Sequence, residues 1–165
     1  MSHQPVIDGL EFARTGSKLQ GSWQVADFPR LRDALHSDAG TLRYELAGIP
    51  EERGRPALRL SLRGALSLTC QRCLGAMEFP LHIEVSLLLA ASQAEIDAEP
   101  LEAEGPERIV AGKEMPVREL VEEELLLAIP IAPRHERCAG QAALGKEAVR
   151  SPFSGLRGLM SGTKH

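Results

Sequence analysis

The sequence predicts an α+β fold, built mainly from an antiparallel sheet with a long central hairpin and two or three helices. Apolar and polar residues alternate strictly on both sides of a compact segment, Cys70 to Cys73, which is the pattern of two half-buried strands joined by a turn. A helical spacing of apolar residues begins after Pro116. The alternation does not determine how the sheet edges are closed, so an open sheet and a small open barrel both remain allowed.

The first part of the chain predicts a strand followed by a short helix. The strand is expected over residues 19–25. Asp27 precedes FPRLRDAL and is predicted to cap the helix, because an aspartate oxygen can accept the free N–H groups of a first turn. Phe28, Leu31 and Leu35 are then expected to face inward.

The central hairpin follows a shorter strand. Leucine and tyrosine alternate with Arg43 and Glu45 over residues 42–46, and this strand is expected to end at Gly48. Residues 49–56 (IPEERGRP) are predicted to form a polar loop. From residue 58 the apolar residues of the first long strand fall on even positions as far as Cys70. Beyond Cys73 the alternation resumes and defines the second long strand.

The second half of the chain combines an acidic loop, a helix and a tail. Residues 91–107 hold six acidic residues, two prolines and no basic residue, so a mobile loop is predicted. The helix is predicted to start at Pro116, with acidic residues in its first turns, and to end before Pro130. Residues 139–165 are rich in glycine, alanine and serine, and a loosely ordered tail is expected. A single domain over residues 1–138 follows.

Composition and charge limit the classes of protein. The chain has 165 residues, 43% of them hydrophobic, and a net charge of −4. No membrane span and no secretion signal are predicted, and the three cysteines suit reduced thiols in the cytoplasm. Residues 73–128 hold thirteen acidic and three basic residues, whereas residues 30–72 hold eight arginines and five acidic residues. Bulk charge therefore disfavours nucleic-acid binding, although local basic faces remain allowed.

Two residue pairs are candidate metal ligands. Cys70 and Cys73 have the spacing at which a tight turn directs two sulfurs at one ion, and His135 and Cys138 repeat that spacing. Together they would form a Cys₃His set suited to structural zinc. Two alternatives remain: Cys70 is a small core residue and the others are incidental, or the Cys-x-x-Cys pair is a redox dithiol. The sequence shows no phosphate loop, HExxH or GxSxG motif, so no enzyme is predicted.

Four segments in order resemble the YceD family, the large ribosomal RNA subunit accumulation proteins. The strongest are LSLTCQRCLGAMEFPLHIEVSLLL and ELVEEELLLAIPIAPRHERC, and the weaker ones are IDGLEFARTGSKLQGSWQVADFPRL and SPFSGLRGL. The resemblance covers nearly the whole chain. It implies one YceD-like domain that acts, without catalysis, in accumulation or maturation of large-subunit (23S) ribosomal RNA and in large-subunit assembly.

The expected partners are large-subunit ribosomal RNA or its precursor, ribosomal proteins, or both. Arg59, Arg63 and Arg72 are the candidate contact residues, because the planar guanidinium pairs with phosphate in a bidentate manner. The alternatives are an acidic adaptor that binds a basic ribosomal protein without touching RNA, and a structural zinc module. The sequence leaves the oligomeric state open.

Overall fold

A computed structural model of the chain describes residues 4–98 and 105–138. The chain divides into two compact units, Met1–His135 and Glu136–His165, and every element named here belongs to the first. The elements are β1 (Val6–Ile7), α1 (Gly9–Arg14), β2 (Lys18–Gln24), β3 (Leu35–Ser37), β4 (Thr41–Glu52), β5 (Arg55–Thr69), β6 (Ala76–Ala90), α2 (Gln93–Asp97), β7 (Glu107–Val110), β8 (Met115–Pro116) and α3 (Val117–Ala128). The tail predicted over residues 139–165 lies outside the described residues.

The main sheet is open and mostly antiparallel. Its strands follow the order β2-β4-β5-β6-β7, with β3 also pairing with β5, and β6 and β7 are its parallel pair. Strands β1 and β8 form a separate antiparallel pair. The predicted α+β class is confirmed, and of the two allowed forms the described residues adopt the open sheet.

The long hairpin of β5 and β6 is confirmed. It contains 13 directly opposed residue pairs, from Ala57 opposite Leu88 to Thr69 opposite Ala76. Because side chains alternate across a strand, this register places the even-numbered leucines of β5 on one face. Those leucines are buried in the core, and the odd-numbered positions form the opposite face, which carries the polar side chains.

The predicted loop over residues 49–56 is wrong. Strand β4 continues to Glu52, and β5 begins at Arg55, so a two-residue turn joins the strands. Arg53 and Gly54 both have positive φ, 52° and 80°, as a tight hairpin turn of type I′ requires. The polar composition marked a turn correctly, but the strand pairing extends through most of it.

The predicted helix after Asp27 is also wrong in type. Two 3-10 turns, Val25–Asp27 and Pro29–Leu31, replace it. The Asp27 carboxylate accepts the backbone N–H of Gln24 at 3.0 Å and so closes the first turn from its far end. Phe28 and Leu31 are fully buried as expected, whereas Leu35 belongs to β3 and is half-buried.

Part of the acidic segment 91–107 has regular structure, which corrects the loop interpretation there. Residues 93–97 form α2, whose first turn is capped by the Ser92 hydroxyl. Glu95 pairs with Arg55 and accepts the N–H of Ala91. Local capping and one ion pair therefore order a stretch whose composition predicted a loop. Residues 99–104 lie outside the description.

The predicted helix is confirmed as α3, and its apolar side chains pack into the core cluster. Val117, Val121 and Leu125 recur at every fourth position and are fully buried. Pro116 stands at the N-cap, one residue before the first helical position. None of the described helices is long and apolar enough to cross a membrane.

Helix α1 packs so closely on β4 that only glycine fits beneath it. Gly48 donates its N–H to the Ser17 carbonyl at 2.8 Å. A Cβ on Gly48 would overlap the backbone carbonyl of Phe12 in α1. The contact therefore fixes the distance between the helix and the sheet.

We expect Gly48→Ala to lower the free energy of unfolding by about 2 kcal/mol, because backbone atoms must move to admit the methyl group. Urea unfolding of both proteins measures the change. Gly75→Ala is the control, since the nearest atom to its added Cβ would be the Cys73 sulfur at 3.6 Å, an ordinary contact. Equal effects of the two variants would contradict the close-approach argument.

Candidate metal centre and basic face of the sheet

The turn between β5 and β6 carries the first cysteine pair. The N–H of Cys70 donates to the Gly75 carbonyl at 3.0 Å, and the N–H of Leu74 donates to the Cys70 carbonyl at 2.9 Å. Leu74 has a φ of 58°, a left-handed conformation that reverses the chain over few residues. The turn thus holds Cys70 and Cys73 close together at one end of the hairpin.

The segment that follows α3 is hydrogen-bonded along this turn. Gln71 donates its N–H to the Pro133 carbonyl at 2.8 Å. The Arg72 guanidinium donates to the His135 carbonyl at 2.6 Å, and the His135 N–H points at the Cys70 sulfur at 3.4 Å. These three bonds bring His135 beside the cysteine pair although it is far away in the sequence.

The side chains converge on one point. The Cys73 Sγ lies 3.4 Å from the His135 Nδ1, and the ligand atoms of Cys70, Cys73 and His135 lie within 4.8 Å of one another. In a tetrahedral zinc site with a Zn–S bond of about 2.3 Å, the sulfurs stand about 3.8 Å apart. These three groups therefore have the dimensions of part of a metal site, and the predicted fourth ligand, Cys138, belongs to the second unit.

The histidine ring is oriented for this role. Its Nε2 lies 3.0 Å from the Ala76 carbonyl, and a carbonyl can only accept, so Nε2 carries the proton. The lone pair of Nδ1 then faces the sulfurs. A backbone carbonyl on the far nitrogen is the usual arrangement behind a histidine that binds a metal.

The environment of Cys70 favours its thiolate form. Burial raises the pKa of the thiol, but hydrogen bonds from the backbone N–H groups of Cys73, His135 and Arg72 and from the Cys73 side chain lower it to about 5. The side chain is fully buried. Thiolate is the form in which cysteine binds a metal. The donor types and the thiolate at Cys70 therefore fit a metal ion such as zinc.

The three candidate arginines do not share one surface. Arg59 and Arg63 lie on the polar face of β5, with guanidinium groups 3.2 Å from Glu52 and 3.6 Å from Glu84. Their side chains are 57% and 67% exposed, so both ion pairs are open to water. Arg72 instead donates a hydrogen bond to the His135 carbonyl. This bond joins the turn between β5 and β6 to the segment after α3.

The structure adds Arg43 to the polar face. Strand register places Arg43 directly opposite Arg63, and His82 lies opposite Arg63 on its other side. We call Arg43, Arg63 and His82 the basic row. The alternation in β4 placed Arg43 on a polar face, but the sequence did not reveal which residue of β5 it opposes.

Arg43 and Arg63 of the basic row line an open depression of about 600 Å³. Polar side chains from three neighbouring strands line it: Gln20, Ser22, Arg43, Glu45, Ser61 and Arg63. Like charges directly opposite on paired strands destabilise a sheet. Arg63 has Glu84 beside it, whereas Arg43 has no ion pair within residues 4–98 and 105–138. Two arginines and one carboxylate, that of Glu45, therefore line the depression.

Comparison with known proteins identifies the family. A sequence model described as "Large ribosomal RNA subunit accumulation protein YceD" matches residues 58–159, which is more than half of the chain. The matched range includes most of the long hairpin, α3 and the four candidate metal ligands. Comparisons with curated proteins and with solved structures give no match. The chain belongs to the YceD family, the large ribosomal RNA subunit accumulation proteins.

Proposed function

We propose that this chain is a non-catalytic factor in the accumulation of large-subunit (23S) ribosomal RNA, and that it binds the RNA backbone through the basic row. Membership of the YceD family supports the link to this RNA. The proposed site of action is the cytoplasm, since three cysteines without a disulfide suit a reducing compartment.

The main support for RNA binding at the basic row is the opposed pair of Arg43 and Arg63. Strands in a sheet are about 4.8 Å apart, so the two side chains leave the same face of the sheet one strand spacing apart. Both residues line the depression, and the Arg63 guanidinium also lies beside Glu84. Each can donate two parallel hydrogen bonds to phosphate oxygens. A phosphate bound between them would remove the repulsion that the pair creates, which gives the energetic reason for an anion at this place.

Local charge supports the same surface. On the polar face, three cross-strand rows from β2 to β6 include four basic side chains, Lys18, Arg43, Arg59 and Arg63, against two acidic ones, Glu45 and Glu84. Glu52, which pairs with Arg59, adds a third acidic side chain beside these rows. This excess lies on a protein whose net charge is −4. RNA affinity is therefore expected to depend on a few localised contacts, and binding by bulk attraction is not expected.

Replacing both Arg43 and Arg63 with serine should weaken binding to large-subunit RNA and flatten its salt dependence. Each lost phosphate contact on single-stranded RNA lowers the slope of log K against log salt by about 0.7, so the double variant should lose about 1.4. Fluorescence titrations at several salt concentrations measure the slope.

Arg32→Ser is the matched control, because it removes the same charge from an exposed residue outside the sheet. Its slope should equal that of the native protein. An unchanged slope in the double variant would eliminate direct RNA contact at the basic row, and multiple turnover of any RNA substrate by the native chain would contradict the non-catalytic part of the proposal.

A second proposed function is structural zinc binding by Cys70, Cys73, His135 and Cys138. The observation that favours it is the convergence of the Cys70, Cys73 and His135 ligand atoms within 4.8 Å. Cys138 is the fourth ligand that the sequence spacing supplies. Zinc would supply a cross-link that holds the hairpin turn against the segment after α3. The residues themselves already provide the thiolate at Cys70 and the oriented ring at His135.

His135→Ala should abolish metal binding, because it removes one ligand of four. Elemental analysis of protein purified without chelator is expected to find one zinc per native chain. Loss of the metal should lower the free energy of unfolding by at least about 2 kcal/mol, since a bound metal stabilises only the folded state. Chelator should lower the Tm of the native chain and leave that of the variant unchanged.

His82→Ala controls for loss of a histidine, because His82 is exposed on the sheet and outside the metal cluster. It should keep one zinc per chain. Native protein without metal, or a His135→Ala variant that retains it, would refute the zinc site. Catalysis that depends on Cys70 or Cys73 would instead identify a thiol enzyme.

A further inference from the structure

Helix α3 has a second face that the core does not use. Leu120, Glu123, Glu124 and Leu127 recur at the spacing of one helical surface, and they line an open groove of about 280 Å³. Strands β6 and β7 form its other wall, which includes Ile109. We call this the acidic groove. Its walls combine leucine and isoleucine with carboxylates, and Leu127 is 70% exposed.

Glu124 is the unusual residue of this groove. Its side chain lines the groove although the residue is only 8% exposed. It has no hydrogen bond or ion pair within the described part of the chain. Burial raises the pKa of this carboxyl, and the charges of Glu107 and Glu123 raise it further. Because no buried side-chain oxygen in the described residues lacks a partner, the Glu124 carboxylate oxygens are open to the groove. A carboxylate that is partly desolvated and has no partner is unfavourable for the folded state.

The neighbouring Glu122 is a buried carboxylate that does have a hydrogen-bond partner. Glu122 is 5% exposed and accepts the backbone N–H of Arg30 at 2.9 Å. Arg30 also lines the acidic groove, and its guanidinium lies 4.0 Å from the carboxylate of the exposed Glu123. Helix α3 thus buries two carboxylates, and the one without a partner is the one that lines the groove.

We propose that the acidic groove binds a lysine- or arginine-bearing segment of a basic protein partner. The cationic group would pair with Glu124, with Glu107 and Glu123 adding attraction, while an apolar neighbour in the segment would cover Leu127. A long side chain with an apolar stem and a charged end matches a groove of mixed walls. Three carboxylates make the groove repulsive to phosphate, so RNA is not its ligand.

The acidic groove is separate from the basic row, and its proposal does not depend on RNA binding. The basic row is formed by the polar faces of β4, β5 and β6, whereas the groove is formed by α3, β7 and Leu87 of β6. Opposite charges on different elements suit partners of opposite charge. The chain would then be able to hold an RNA and a basic protein at once.

The test uses the full chain and a fluorescein-labelled peptide of alternating lysine and leucine, with a glutamate-for-lysine peptide as its counterpart. We expect the lysine peptide to bind and the glutamate peptide not to bind. Glu124→Gln should weaken binding of the lysine peptide at least tenfold. Glu119→Gln is the matched control, because it removes the same charge from an exposed position of the same helix outside the groove.

Two further measurements separate binding from folding. Glu124→Gln should leave the Tm unchanged or raise it, because it removes an unpaired buried charge and keeps the shape of the side chain, whereas a structural role predicts a lower Tm. Arg43→Ser with Arg63→Ser should leave peptide affinity unchanged, so failure of the RNA proposal and failure of this one are distinguishable.

Several results would overturn the inference. Equal affinity of the native chain and Glu124→Gln for the lysine peptide is the first, and equal losses in Glu124→Gln and Glu119→Gln are the second. Displacement of the peptide by Mg²⁺ that binds the native chain but not Glu124→Gln is the third, because it would identify a cation site. Failure of the native chain to bind the lysine peptide is the fourth.

Discussion

The antiparallel pairing of β5 with β6 is the interaction on which the rest of the molecule depends. Its 13 opposed pairs fix at once which side chains face the core and which face water. The same register positions the turn that carries Cys70 and Cys73 at one end. It also fixes the position of β5, whose Arg63 lies opposite Arg43 of β4. Both candidate binding features on the sheet are consequences of this one register.

Alternation of side chains is why so much of the fold could be predicted from the sequence. The even-numbered leucines of β5 identified the hairpin, and the spacing of Val117, Val121 and Leu125 identified α3. Short-range composition was less informative. Arg53 and Gly54 suffice for a turn because both adopt positive φ, so the strands extend further than the polar loop suggested. Likewise, Ser92 and Arg55 order α2 through contacts that composition does not report.

The candidate sites also differ in how much of each could be predicted from the sequence. Matching Cys-x-x-Cys and His-x-x-Cys spacings are enough to indicate the metal ligands, because each pair is local in sequence. Arg43 opposite Arg63 and Glu124 beside Glu107 join residues from different elements, and nothing in the sequence specifies which ones meet. Arg72 was predicted to contact RNA from its residue type, but its backbone partner at His135 depends on how the segment after α3 returns to the turn.

Because the segment after α3 returns to the turn between β5 and β6, these two parts of the chain are expected to meet late in folding. Cys73 and His135 meet across a separation of 62 residues, and closing so long a loop is entropically slow compared with forming a local hairpin. During synthesis, the hairpin is complete before the segment bearing His135 exists. Capture of a metal by all four candidate ligands would therefore be a late event, after both segments that carry them have been placed.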